Sequence, residues 1–591
     1  MINGWTDRLA RHWRPAVVVF WLIVCAWFLY QRWAAIHGFA LGDTDDNMRI
    51  MQVRAWLAGQ GWFDLRQYRL NPPYGANIHW SRIVDLPLAG IKLALAPVIG
   101  GATAERAAVA IAPLLPMLVA MFAVAAAARR LLSPAAFILA LLVLVCGPSL
   151  RGMWSPLRID HHGWQLAMLS LVALGLIDRN RLRGGITVGL ATATSLAIGL
   201  EMLIYLAAAG ALIGLMWPRD REEAPRLFAY GASLAAGTGF LYLLFTSYAN
   251  RAPVCDALSP VWLSMMILAG IMCMLLARLT PASLWVRIAA AGIAAGGLAA
   301  AYAFAWPHCL SRLEGTSPEL EQMWLNRVRE AMPLYKHGWR IALNTLILPI
   351  AGLIGYALMI WRTRRDPAEW PRWAALGLLA LLPCLLLLWQ TRAGAASQML
   401  AIPGATALIW SVLLWLWVGR SVLGRIAGLA AFAAVLTAIG MQFAGRIVPE
   451  NKPTAGRVAV RQAGARCPSM RALKPVALQP KGTILTHVDL GPRLIAVTHH
   501  NALAGPYHRN GGAILSIMRA FRGTPEAALR TVQQRGIDYV LICPNISEST
   551  VYRADAPNGF YMQLVRGKVP AWLEAVPLPA GSPYRMWRVR R

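Results

Sequence analysis

Residues 16–30, AVVVFWLIVCAWFLY, and residues 41–49, LGDTDDNMR, decide how the rest of the chain is read. The first is an unbroken apolar run behind Arg8, Arg11 and Arg14 with no small-residue cleavage site after it, so it reads as a retained membrane anchor with a cytoplasmic N-terminus. The second puts Asp43, Asp45 and Asp46, an Asn and Arg49 where the chain leaves that anchor. Like charges a few ångströms apart raise one another's pKa unless a cation neutralises them, and a divalent metal is the simplest neutraliser.

Outward from that junction the composition agrees. Of 591 residues 57% are apolar and 14% charged, too much hydrocarbon-like surface for a soluble domain, so a polytopic α-helical membrane protein is expected. The formal charge of +30 does not point to nucleic acid, because the arginines cluster between apolar spans as they do in cytoplasmic loops. Requiring roughly 15 to 22 apolar residues per crossing predicts about thirteen transmembrane helices. They fall near 16–35, 104–127, 135–149, 163–178, 185–200, 202–217, 227–246, 259–277, 286–306, 341–361, 373–390, 398–418 and 426–444.

An odd number of crossings sends the C-terminus out. The expected division is a membrane domain, 1–447, with large outer loops 37–103 and 307–340, and a soluble periplasmic α/β domain, 448–591. In the latter ILTHVDL and YVLICP are strand-like, and EAALRTVQQRG reads as a helix ending at a Gly. The location expected is a bacterial inner (cytoplasmic) membrane. In loop 37–103, Ile50, Val53 and Leu57 recur at helical spacing, which suggests an amphipathic helix along the membrane surface. Cys255, Cys309, Cys467 and Cys543 lie in outer segments, where disulfides Cys255 to Cys309 and Cys467 to Cys543 suit an oxidising compartment, although spacing alone does not fix the pairing.

Three acids, Asp43, Asp160 and Glu330, come from three different outer segments on one face, and hard cations take oxygen ligands from several directions. His161 and His162 beside Asp160 could add an imidazole, which suits Mn²⁺ better than Mg²⁺. Each acid taken singly has a plainer reading as a solvated loop residue. Arg49, Arg54, Arg151, Arg158 and Arg392 lie outside against the positive-inside trend, where a guanidinium serves phosphate or snorkels to headgroups. Glu201 reads as part of a turn between two spans. Residues 498–512, THHNALAGPYHRNGG, are either acceptor contacts, through His499, His500, Tyr507 and His508, or a surface loop.

With these residues in view, the chain resembles the catalytic subunit of oligosaccharyltransferase and its single-subunit bacterial and archaeal relatives, members of the GT-C glycosyltransferases. That family opens its first outer loop with a pattern like FDPxFNYR, which GDTDDNMR matches through Asp43, Asn47 and Arg49. Its second outer loop carries YDNEG or YDTD, and IDHHG is similar, with Asp160 at the Asp position and His162 at the second acidic one. RVREAMP, with Glu330 and Pro333, resembles its SVSE or TIxE motif, and ILTHVDLGPRL resembles WWDYG through Asp489 and Gly491. The resemblance implies a polyprenyl phosphate or diphosphate sugar donor, Mn²⁺ or Mg²⁺ held by Asp43, Asp160, His162 and Glu330, and donor phosphate contacts from Arg49, Arg158 and Arg392. It also implies inverting transfer at the periplasmic face, with Asp43 or Asp45 binding or deprotonating the acceptor. The Trp pair of the last motif is His487 and Val488 here, so the acceptor is open among protein, lipid and glycan, with His487 and Asp489 near it. The rival class is a transporter or flippase of lipid-linked glycans. It predicts charges at mid-bilayer and a two-half repeat, neither of which the sequence shows.

Overall fold

The computed structural model describes residues 11–417 other than 312, residues 421 and 424, and residues 454–590. The predicted span 426–444 and the boundary at 447/448 lie outside the described residues. Seven stretches are helical, long and apolar enough to cross a membrane: Trp13–His37, Gly101–Leu131, Arg221–Phe245, Pro260–Leu279, Leu284–Ala305, Trp339–Thr363 and Thr391–Trp415. Phe137–Cys146, His162–Leu176, Leu203–Arg219 and Trp370–Leu386 are shorter apolar helices, and Arg181–Ile198 completes the set expected from hydropathy within the described residues. The protein is a multi-pass membrane protein.

Small residues let these helices approach closely. A Cβ on Gly355 would lie 1.9 Å from the Gly404 carbonyl oxygen, and one on Gly404 2.2 Å from that of Gly352. Helices Trp339–Thr363 and Gly394–Trp417 therefore meet backbone to backbone, as small-residue stripes permit in lipid. Gly355→Val is expected to lower stability by about 1–3 kcal/mol, the usual cost of overpacking, read as an earlier thermal unfolding transition in detergent.

Loop 37–103 departs from its expected form in two ways. Its helix, Thr44–Leu57, does not lie along a membrane surface: residues 46 to 53 are all buried, which no helix with one solvent face permits. It is enclosed between the membrane helices and the C-terminal segment, where Arg54 reaches Glu105 at 2.7 Å and Arg493 reaches Asn47 at 3.2 Å. The loop also holds an apolar helix, Asp85–Ile99, whose 15 residues, interrupted by Pro97 and Lys92, are too short and too broken to read as a span. At its first turn Asp85 sits between Arg49 (3.0 Å) and Arg82 (3.2 Å), all three buried.

The loop adds a two-stranded ribbon, β1 (Arg66–Gln67) against β2 (Ala76–Asn77). The C-terminal segment forms a five-stranded mixed sheet from β3 (Thr483–Leu485), β4 (Asn501–Ala502), β5 (Tyr539–Ile542), β6 (Leu573–Val576) and β7 (Arg585–Val589), in the order β4-β3-β5-β7-β6. β4, β3 and β5 run parallel, while β5, β7 and β6 are antiparallel, with Val540 opposite Trp587. β5 is buried throughout, as a central strand covered on both faces must be. Helix Gly511–Arg522 packs over the sheet with Ile514, Ile517 and Phe521 buried.

This sheet is not separate from the rest. Ala502 of β4 exchanges backbone hydrogen bonds of 3.0 Å with Arg69 and Asn71, and Leu70 pairs with it in parallel, so the first loop extends the sheet edge. Leu320, from loop 307–340, is buried in the same core as Ile514 and Phe521. Disulfides join Cys255 to Cys309 and Cys467 to Cys543.

Candidate functional site

The site begins at the N-terminus of helix Thr44–Leu57. Asp43 is the cap residue, its carboxylate accepting the Asp45 N–H at 3.0 Å, and Asp45 and Asp46 occupy the first turn, where the helix dipole favours negative charge. Asp46 is buried and accepts the backbone N–H groups of Ile159 (2.8 Å) and Asp160 (3.1 Å). It thereby welds the helix to the turn before helix His162–Leu176. That turn presents Arg158, which hydrogen-bonds Asp43 and lies 2.7 Å from Asp160 and 3.9 Å from Asp46. Asp160 also accepts the His162 N–H at 3.1 Å and faces His162 Nδ1 at 3.0 Å.

A second tier backs the first. His161 stacks on His162 at 4.4 Å and pairs with Glu201 at 2.7 Å, and Gln165 hydrogen-bonds the same carboxylate. The Tyr507 hydroxyl donates to the Thr44 carbonyl at 3.0 Å, and its ring meets Trp80 edge-on at 5.7 Å. The Asp489 backbone N–H is held by the buried Glu548 carboxylate at 2.9 Å.

Two cations stand among these acids: Arg158, and His162, whose charge burial disfavours but whose imidazole Asp160 pushes up to about 9. Burial alone would raise Asp43, but Arg158 outweighs it and holds this carboxyl low. Burial likewise works against Asp160, and His162 with Arg158 more than offset it, keeping the carboxylate charged. Asp45 is pushed up to about 7 by burial and then by Asp43 and Asp160. Asp489 is pushed up to about 6 by burial and then Asp43, and Glu548 to about 8 by burial and then Asp489.

A carboxyl raised in the folded state binds protons that the unfolded chain has released, so its stabilising effect is full below the ordinary carboxylate pKa and is lost as pH rises through the folded value. The contribution of Asp45, Asp489 and Glu548 to stability in chelator is therefore lost between the ordinary carboxylate range and about pH 8, while His487, whose imidazole burial holds low, works in the opposite direction below its ordinary value. Asp45→Asn removes the part of that loss that runs from the ordinary carboxylate range up to about 7, measurable by thermal unfolding across the series in comparison with wild type.

The structure brings Asp43, Asp45, Asp160, His162, Arg158, Tyr507 and Asp489 to one cleft. It does not bring Glu330 there. Glu330 is exposed in the turn Arg329–Ala331, which packs beside Thr391–Ala393 and its exposed Arg392. Among the described residues no hydrogen bond or ion pair joins Glu330 to Asp43, Asp160 or His162, and the three acids do not come within shared coordination reach. Asp43 and Asp160 are instead bridged by Arg158, the guanidinium expected on donor phosphate.

Other expected contacts are structural. Arg49 is buried, ion-paired to Asp85 and stacked on Trp80 at 4.5 Å, so it faces protein and not phosphate. His487 is buried among Phe521, Tyr552 and Tyr561, where burial pushes its imidazole down to about 3 and leaves it a neutral core residue. His500 is buried with both ring nitrogens occupied, by the Gly482 N–H (3.2 Å) and the Val476 carbonyl (2.8 Å). His499 is exposed and turned to the Gln479 carbonyl at 3.0 Å. His508 pairs with Asp256. Asp46, read in the sequence only as one acid of the cluster, is the third acid of the stretch 43–46, where only one could cap the helix, and that count was the signal for its separate role. Glu201, read as a turn between two spans at the cytoplasmic side, lies instead behind the site beside His161.

No protein-family model matches the chain, and no curated protein does. Solved structures match in fold. The archaeal oligosaccharyltransferase AglB from Archaeoglobus fulgidus, in complex with an inhibitory peptide and a dolichol-phosphate, is 13% identical over 93% of this chain and 72% of its own, with a TM-score of 0.70. The Archaeoglobus fulgidus oligosaccharyltransferase tethered with an acceptor peptide containing the NVT sequon is 13% identical over 99% and 75%, with a TM-score of 0.67. The same protein's complex with Zn and sulfate is 13% identical over 85% and 64%, with a TM-score of 0.55. The chain has the fold of this oligosaccharyltransferase, the GT-C fold expected from its motifs.

Proposed function

We propose that the chain is a metal-dependent membrane glycosyltransferase that moves a sugar or oligosaccharide from a polyprenyl phosphate or diphosphate to a periplasmic acceptor. One observation carries the reading: Asp43, Asp45, Asp46 and Asp160 converge around Arg158 and His162, opposite Asp489, in a chain that shares its fold with an oligosaccharyltransferase over 93% of its length. The dolichol-phosphate named with that neighbour supports a polyprenyl carrier.

Asp43, Asp160 and His162 offer the oxygen and imidazole donors that Mn²⁺ or Mg²⁺ takes, and they would hold such a cation once Arg158, which bridges the two carboxylates, turns away. When bound, the cation supplies positive charge toward the departing phosphate oxygens. Glu330 stands outside this set. Arg158, with about a fifth of its side chain exposed, is the guanidinium that can turn from the carboxylates to phosphate. Asp45 is the carboxylate suited to take a proton from an acceptor hydroxyl, because its raised pKa lies near working pH. The bond from the anomeric carbon to the phosphate oxygen breaks, the acceptor oxygen attacks from the opposite side, and the released proton passes to Asp45. The absence of the Trp pair, with His487 turned into the core, supports an acceptor other than an Asn sequon.

The test is incubation of the purified protein with radiolabelled polyprenyl-linked sugar, envelope extract and Mn²⁺, with and without chelator. Cation-dependent label on an acceptor is the expected result. Carrier translocation in vesicles with no covalent transfer sinks the proposal in favour of a flippase.

A further inference from the structure

We propose that His79, Asp256 and His508 form a zinc site, separate from the candidate catalytic cation, that clamps the C-terminal sheet domain to the membrane part of the chain. The three come from the first outer loop, from the segment between helices Arg221–Phe245 and Pro260–Leu279, and from the turn after β4. One ligand atom from each lies within 4.8 Å of the others. Two imidazole nitrogens and one carboxylate oxygen are the ligand chemistry of Zn²⁺, with a fourth position left for water. The one other His/Cys group of this kind among the described residues, Cys255, His308 and Cys309, is closed to metal by its disulfide.

The surroundings are those of a built site. The Asp256 side chain is 9% exposed, and Arg509 grips both its oxygens, at 2.6 and 2.7 Å. Arg509 also holds Asn250 at 2.6 Å, and the Asn250 amide donates to the His79 carbonyl at 3.1 Å. These contacts fix the carboxylate and the His79 backbone as outer partners do around metals. A carboxylate has about four lone-pair positions, so the Arg509 fork leaves Asp256 able to ligate. His508 Nε2 already meets Asp256 Oδ2. The His79 ring lies 5.0 Å from that of His508, and among the described residues nothing hydrogen-bonds its nitrogens. A tetrahedral ion with bonds near 2.0 Å holds its ligand atoms about 3.3 Å apart, so His508 and Asp256 need separate by less than ~1 Å to admit it. The proton they now share leaves to solvent when the ion enters.

The position gives the site a purpose. His79 adjoins Trp80 and His508 adjoins Tyr507, a ring pair in edge-on contact whose Tyr507 hydroxyl holds the Thr44 carbonyl beside Asp43. A metal between the two histidines would hold that ring pair without touching Asp43 or Asp160. The inference does not depend on glycosyl transfer.

The full-length protein, stripped with chelator, is titrated with ZnCl₂ alone, and bound metal is measured by elemental analysis. Asp43→Asn, which disables the candidate catalytic cation site, is expected to retain about one zinc per chain, while His79→Asn and His508→Asn added to it weaken that binding by at least ~100-fold, since even outer-partner losses cost 10–100-fold. Zinc-edge X-ray absorption on the wild-type protein, which needs no variant to fold, should show two imidazoles. Zinc retention unchanged when His79→Asn is added, zinc lost in Asp43→Asn, or no imidazole scattering overturns the proposal.

Discussion

Asp160→Asn lowers the proposed sugar transfer by about 10² to 10³ while leaving the fold intact, the scale on which removal of one preorganised charge is felt in an active site. The Asp160 carboxylate faces Arg158 at 2.7 Å, His162 Nδ1 at 3.0 Å and the His162 N–H at 3.1 Å. Asn keeps the shape and one acceptor oxygen but cancels the charge that holds Arg158 and His162. Arg158 is then left to Asp43 and Asp46, and His162 loses its anchor. The loss should fall on kcat, and the melting temperature should drop as well, because a buried carboxylate paired to Arg158 and His162 loses its charge while Asp46 still fixes the turn through Ile159. A kcat/KM within threefold of wild type, on a correctly folded variant, would remove Asp160 from the chemistry and with it the proposed cation site.

Asp85→Ala is expected to destabilise the protein by about 3–5 kcal/mol, the cost of breaking a buried ion pair and stranding its partner. Asp85 is the shared counter-charge of Arg49 and Arg82, and the side chains of all three are at most 1% exposed. Without it two buried guanidiniums repel each other, and Arg49 keeps only the Ser81 carbonyl at 3.2 Å and the face of Trp80. Tryptophan fluorescence during thermal or denaturant unfolding reads the change. Adding Arg82→Met to Asp85→Ala should recover part of it, because the second change removes one of the stranded charges. A shift below ~1 kcal/mol would mean that water reaches the triad.

What was legible in the sequence follows from range. The spans could be read because a lipid-facing helix writes its burial into consecutive residues, as AVVVFWLIVCAWFLY does. Helix Asp85–Ile99 escaped because its apolar run is short and carries Lys92 and two prolines. In the site, Asp43, Asp160 and His162 could be named from motif resemblance, since each sits in a stretch with its own pattern. Their mutual arrangement could not, because Arg158 reaches Asp43 across 115 residues and Tyr507 reaches Thr44 across 463. Arg49 shows the opposite failure: an arginine outside the membrane was expected to serve phosphate, but its partner, Asp85, lies in the helix that hydropathy did not reveal. The same blindness applies to His487, whose aromatic enclosure is assembled from 521, 552 and 561.

The continuation of the sheet edge by the first loop constrains how the molecule can be dissected. Because Arg69 and Asn71 complete the bonding of Ala502, residues 454–590 produced alone would emerge with a bare strand margin and the apolar patch that Leu320 now covers, a template for self-association. Chimaeras that exchange the C-terminal part between related proteins must therefore carry residues 66–77 with it, and the practical unit of grafting is a discontinuous one.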